Sequence, residues 1–150
     1  MKKIWLLMIV FLISASAYAQ IETPVKWSYA SKKLPGNEAV ILLRASIQDG
    51  WHIYSLYMKS DGPVKTSFVF APSTEYALIG KTTGPKPILK YEDALKMHIG
   101  YFEKTATFQQ KIKIKSNKAS VVKGRLEYAV CNDHRCLPAE DVDFAVNLVK

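Results

Sequence analysis

Thr105-Ala-Thr-Phe-Gln-Gln-Lys-Ile-Lys-Ile-Lys115 alternates with a period of two. Ala106, Phe108, Ile112 and Ile114 share one parity, while Thr105, Thr107, Gln109, Lys111, Lys113 and Lys115 share the other. Successive side chains of a β-strand point to opposite faces, so this segment predicts a strand with one face in a core and one in water. The same alternation recurs in Val25, Trp27 and Tyr29, in Val122, Leu126, Tyr128 and Val130, and in Val142, Phe144, Val146 and Leu148. From Ala39 to Ile47 every odd position is apolar and some even ones are too, the pattern of a more central strand.

Turn signals separate these runs: Leu34-Pro-Gly-Asn37, Asp49-Gly50, Ser60-Asp-Gly-Pro63, Ala71-Pro-Ser73 and Gly84-Pro85. No long segment carries a helical period, and there are no internal repeats or low-complexity tracts. Short strands at this spacing predict an all-β protein, an immunoglobulin-like antiparallel β-sandwich, with a small barrel as the main rival.

The chain of 150 residues opens as an export signal. Lys2 and Lys3 supply a positive start, Ile4 to Ile13 an unbroken apolar run, and Ala17-Tyr18-Ala19 a small-residue cleavage pattern. The apolar run is short for a membrane span. The expectation is a signal peptide over 1–19 and one mature domain over 20–150, enough chain to bury a real core. No later segment is apolar enough to enter a membrane, so the mature chain is expected in the periplasm without membrane insertion.

The formal charge of +8 falls to +6 without Lys2 and Lys3. A basic balance can signal nucleic acid, but these lysines are scattered or alternate with apolar residues, as in Lys111-Ile-Lys-Ile-Lys115, which describes a solvated strand face. No nucleic-acid partner is expected.

The two cysteines of the chain lie five positions apart in Tyr128-Ala-Val-Cys131-Asn-Asp-His-Arg-Cys136-Leu-Pro138. Outside the reducing cytosol, thiols this close predict a disulfide. A ring over so few residues constrains the unfolded chain by only about 2 kcal/mol, a poor staple for a domain of this size. It suits a bond that is made and broken. Strand parity puts Tyr128 and Val130 in the core and turns Cys131 the other way, with Asn132-Asp133 as turn residues. Both thiols are therefore expected at a hairpin end on the open face of the sandwich, accessible to an incoming thiolate.

Val130-Cys-Asn-Asp-His-Arg-Cys-Leu-Pro138, together with Asp49-Gly-Trp-His-Ile-Tyr-Ser55, resembles the N-terminal periplasmic domain family of the thiol:disulfide interchange protein DsbD. The resemblance runs from about Val25 to Leu148. It implies an immunoglobulin-like fold and a redox pair, Cys136 attacking and Cys131 resolving. It also implies a donor, either a membrane-embedded electron conduit or a thioredoxin-like domain, and exported thiol-disulfide proteins as clients. No cofactor is implied. The familiar bacterial version has one more residue between its cysteines, so its redox potential does not carry over. A chain ending at Lys150 has neither the conduit nor a thioredoxin-like domain, so another polypeptide is expected to supply electrons.

The family shields its cysteines with a cap loop, and the matching region here is Lys90-Tyr-Glu-Asp-Ala-Leu-Lys96. The resemblance puts Tyr91 or Leu95 over the disulfide and Glu92 and Asp93 where their charge raises a thiol pKa. It favours Tyr54, with His52 on the same strand face, as the flank of the cysteines, leaving Trp51 to the core. Within the ring, His134 and Arg135 either favour a thiolate or are plain turn residues pointing into water.

Two other readings stand beside this one. In the first, a loop disulfide merely stiffens an exported binding module. In the second, Met58, Met97, His52, His98 and His134 are soft or borderline ligands of a periplasmic copper carrier, although no Met-rich or His-rich repeat supports it. The Cys-x2-His-x-Cys ring is too tight for zinc-finger spacing, and no metal site is assigned. Hydrolase motifs are absent.

Overall fold

A computed structural model describes residues 22–58, 62–93, 96–116 and 121–149. All regular elements among them are strands: β1 (Val25–Leu34), β2 (Glu38–Ile47), β3 (His52–Tyr54), β4 (Ser67–Phe70), β5 (Tyr76–Thr83), β6 (Ile88–Glu92), β7 (Met97–Glu103), β8 (Thr105–Ile114), β9 (Val121–Tyr128), β10 (Val130–Cys131) and β11 (Glu140–Asn147). Every pairing is antiparallel. One sheet runs β1-β2-β8-β5, a second β10-β3-β7-β6 and a third β11-β9-β4. The fold is all-β, an immunoglobulin-like sandwich.

The alternating patterns become the core. Ala39, Ile41, Leu43, Ala45 and Ile47 of β2 are all buried, as are Ala106, Phe108 and Ile112 of β8 and Val122, Leu126 and Tyr128 of β9. β2 has a neighbour on each side, the central place that its denser apolar pattern predicts. Pro35-Gly-Asn37 closes β1 onto β2, with Gly36 and Asn37 both at positive φ, which these residue types tolerate.

Gln110 breaks the parity of β8: it is polar, yet only 1 % exposed. Its Nε2 donates to the carbonyls of Ile79 and Lys111 at 3.1 and 2.8 Å, and its Oε1 accepts from Thr82 Oγ1 at 2.8 Å. Burial is tolerated because the amide is satisfied, and the bonds hold the edge strand β5 across its irregularity.

One junction sets up the site. β9 pairs with β11 and β4 in the third sheet, but after the single residue Ala129 the chain pairs as β10 with β3 in the second. Val130 stays in the main core, opposite Ile53. Cys131 then faces the other side of the second sheet, where Tyr54, Met58, Ile99 and Ala129 form a smaller apolar cluster around it.

Candidate functional site

The Asp49-Gly50 turn, with Gly50 at φ 81°, swings the chain into β3. Alternation then deals Trp51 and Ile53 to the main core and His52 and Tyr54 to the opposite face. The end of β3 is fixed by Thr66, whose Oγ1 donates to the Tyr54 carbonyl at 2.6 Å. In the antiparallel register His52 stands directly across from Cys131.

Cys131 and Cys136 are joined by a disulfide. They are themselves a cross-strand pair, and the ring between them is a tight turn. Asn132 Oδ1 accepts the backbone N–H groups of His134 and Arg135 at 2.9 and 2.8 Å, while Asn132 N–H donates to the Arg135 carbonyl at 2.9 Å. An asparagine at the start of such a turn organises the backbone with its own side chain.

The two sulfurs are not equivalent. Cys136 is exposed, whereas Cys131 is only 2 % exposed. This corrects the expectation of two open thiols: parity turns Cys131 away from the main core, but the smaller cluster covers it. The Tyr54 hydroxyl donates to Cys131 Sγ at 3.3 Å inside that cluster.

Beside the disulfide lies a cleft of about 290 Å³, lined by His52, Tyr54, Lys90, Glu92, Ile99, Tyr101, Glu103, Cys131, Asn132, Asp133 and Cys136. His52 is half-buried between two rings, its centroid 5.5 Å from that of Tyr54 and 5.1 Å from that of Tyr101. Burial lowers the His52 pKa below the ordinary histidine value; Glu103 and Asp133 oppose that shift and Lys90 adds to it. Burial, with Glu92 nearby, raises the pKa of Tyr54, so its hydroxyl keeps its proton near neutral pH.

The residues singled out in the sequence fall differently around this cleft. His52, Tyr54 and Glu92 line it with the cysteines. Tyr91, next to Glu92 on β6, has the other strand parity and packs on His98, ring centroids 5.1 Å apart, instead of reaching over the disulfide. Asp93 is exposed, with Lys96 at 3.9 Å. Leu95 lies outside the described residues. His134 is exposed at the turn. Arg135 is drawn off by an ion pair with Glu22 and a place 5.9 Å over the Trp51 ring, so its guanidinium braces the ring of six residues against the core.

Lys90, Ile99, Tyr101, Glu103, Asn132 and Asp133 complete the cleft; the sequence places Lys90 in the cap loop and Asn132-Asp133 in the turn but gives none of the six a role in the site. The β7 residues had a signal: Ile99, Tyr101 and Glu103 share a parity, but it assigns a face only once the register of β7 on β3 is known. Of the copper ligand types, Met58, Met97 and His98 line one cavity of about 320 Å³, where Met58 Sδ already accepts the Gly100 N–H at 3.3 Å and His98 packs on Tyr91. His52 lines the separate cleft beside the disulfide, and His134 is at the turn.

A family model described as the N-terminal part of thiol:disulfide interchange protein DsbD matches residues 21–148. No curated protein matches the chain in sequence. Among solved structures, the chain is similar to the reduced DsbD N-terminal domain of Neisseria meningitidis, at 18 % identity and TM-score 0.52 over 71 % of this chain and 75 % of that one. The complex between the DsbD and PilB N-terminal domains of the same organism matches at 15 % identity and TM-score 0.55, over 84 % of this chain and 87 % of that one. The N-terminal periplasmic domain of ScsB from Proteus mirabilis matches at 20 % identity and TM-score 0.53, over 83 % of this chain but only 44 % of that one. At these identities the structural likeness is one of fold.

Proposed function

Because the chain belongs to the family of DsbD N-terminal domains and is a thiol:disulfide exchange domain, we propose that it works in the periplasm as an electron relay with Cys136 as its attacking thiol. The observation that carries this assignment is the asymmetry of the pair at one cleft: Cys136 is exposed, Cys131 only 2 % exposed. A bulky disulfide can reach only the first.

In the reduced domain the Cys136 thiolate attacks one sulfur of a client disulfide, and the other client sulfur leaves as a thiolate. Cys131 then loses its proton and attacks Cys136 Sγ. The mixed disulfide breaks, the client departs with both cysteines reduced, and Cys131–Cys136 closes. A donor dithiol, membrane-embedded or thioredoxin-like, reopens the ring by the reverse sequence. The clients are exported thiol-disulfide proteins. In support, a DsbD N-terminal domain has been captured in complex with a PilB N-terminal domain. Export rests on the signal pattern ending at Ala19, which lies outside the described residues. Among the described residues, no helix is long and apolar enough to cross a membrane.

Equilibration of the mature protein in graded thiol/disulfide buffers, read by alkylation mass shift, tests the relay. The midpoint is expected between about −180 and about −270 mV, where exchange-active pairs lie. A bond still closed below about −300 mV is a structural bond, and the binding-module reading takes its place.

A further inference from the structure

The resolving step needs a proton acceptor at a sulfur that water scarcely reaches. Cys131 is 2 % exposed, and its Sγ already receives a hydrogen bond from Tyr54. We infer that His52, directly across the strand pair from Cys131 and open to the cleft, takes the proton of Cys131 when that thiol resolves the mixed disulfide. The inference rests on the exchange reading given above and assigns a role within it.

The surroundings of His52 favour this over other acceptors. Tyr54 shares its strand face, β7 contributes Tyr101 and Glu103, and β6 contributes Lys90 with Glu92 beyond it. The ring contributes Cys131, Asn132, Asp133 and Cys136. A general base works best when its pKa lies near the working pH, a condition that an imidazole meets. Tyr54 keeps its own proton and serves as a donor. His52, with its pKa lowered, is a neutral imidazole at physiological pH and so has a free lone pair. Once it has accepted the proton, Glu103 and Asp133 stabilise the imidazolium, while the Tyr54 hydroxyl stabilises the thiolate left behind.

The step balances. The Cys131 S–H bond breaks as an N–H bond forms on His52, and the Cys131 thiolate then attacks Cys136 Sγ. The Cys131–Cys136 bond forms, the bond from Cys136 to the client breaks, and the client sulfur leaves with the electron pair. His52 returns its proton to that thiolate or to the cleft water.

Single-turnover reaction of the reduced mature domain with an equimolar aromatic disulfide such as dithiobis(nitrobenzoate) separates the two steps. Attack by Cys136 releases the first coloured thiolate and resolution by Cys131 the second. This leaving group needs no proton, so the second phase reads Cys131 deprotonation. In the wild type the second-phase rate is expected to rise with pH through the His52 ionisation and to level off by neutrality. His52→Phe and His52→Asn are expected to lose that inflection and to slow the second phase relative to the first by about a hundredfold at neutral pH. Glu103→Gln, which removes a charge that holds the imidazole pKa up, is expected to move the inflection to lower pH.

A folded His52 variant that keeps the wild-type ratio of phases and the wild-type inflection overturns the assignment. So does an inflection that ignores Glu103→Gln. Should the wild type release neither thiolate, the exchange reading itself falls; two normal phases without the His52 dependence sink only the proton acceptor.

Discussion

The Tyr54 hydroxyl points its proton at Cys131 Sγ from 3.3 Å, a contact that joins residues 77 positions apart in the chain. A neutral sulfur is a weak acceptor and a thiolate a strong one, so the bond strengthens as Cys131 gives up its proton in the resolving step. Tyr54→Phe therefore destabilises the nucleophile of that step. With about 1 kcal/mol at stake, the second phase of thiolate release from dithiobis(nitrobenzoate) should slow about fivefold while the first is unchanged. A second phase unslowed, or quickened, would mean that the hydroxyl does not hold the thiolate.

Differential exposure gives a kinetic expectation. In the reduced domain iodoacetamide should modify Cys136 about tenfold or more faster than Cys131, because the reagent must reach the sulfur it alkylates. Peptide mapping after a short pulse reads the ratio. Equal labelling would show that the cluster of Tyr54, Met58 and Ile99 opens freely on reduction.

Glu92 lines the cleft with both cysteines, and its negative charge opposes the formation of a thiolate there. Glu92→Gln should raise the rate of Cys136 alkylation at neutral pH by about threefold at low salt. The gain should shrink as ionic strength rises and screens the interaction. A salt-independent change would point to altered packing instead.

The long strands are legible in the sequence because each buries one face, as β2, β8, β9 and β11 do. So are the disulfide, from the close spacing of the two cysteines, and the split of Trp51 from Tyr54, from parity within one short segment. The environment of Cys131 is not legible in this way. Parity says only that Cys131 leaves the main core; its cover comes from Tyr54, Met58 and Ile99, which a fold must bring together from two other regions of the chain. Tyr91 fails for a related reason: proximity in sequence to Glu92 places it one residue out of phase, on the far face of β6.

Gly124 stands opposite Phe144 in the β9–β11 register, and the phenyl ring lies where a side chain would go. A Cβ at this position would overlap that ring and approach the Val69 carbonyl oxygen to 2.5 Å. Neither neighbour can retreat, one being core and the other strand backbone. Gly124→Ala should cost about 2–3 kcal/mol, seen as a lower urea midpoint with an unchanged slope. A loss of a few tenths would mean that β4 shifts easily.

Tyr128 is 2 % exposed and donates to Glu140 Oε2 at 2.8 Å, across the β9–β11 pair just ahead of the cysteines. Burial first, and then the bonded carboxylate, raise its pKa far above the ordinary tyrosine value. The folded state thus holds this proton more tightly than the unfolded state. The stability it contributes is complete below about pH 10, where unfolded tyrosine ionises, and is lost progressively as pH climbs toward the folded value. Tyr128→Phe removes the hydroxyl, costing about 1 kcal/mol at pH 8 but abolishing this group's share of the alkaline loss. Tyr29, Tyr54 and Tyr76 have raised pKa values too and remain in both proteins, so the comparison isolates Tyr128. Urea midpoints of the two proteins should therefore converge between about pH 8 and about pH 11. A gap that stays constant across that range would show that the folded state does not hold the Tyr128 proton more tightly than the unfolded chain.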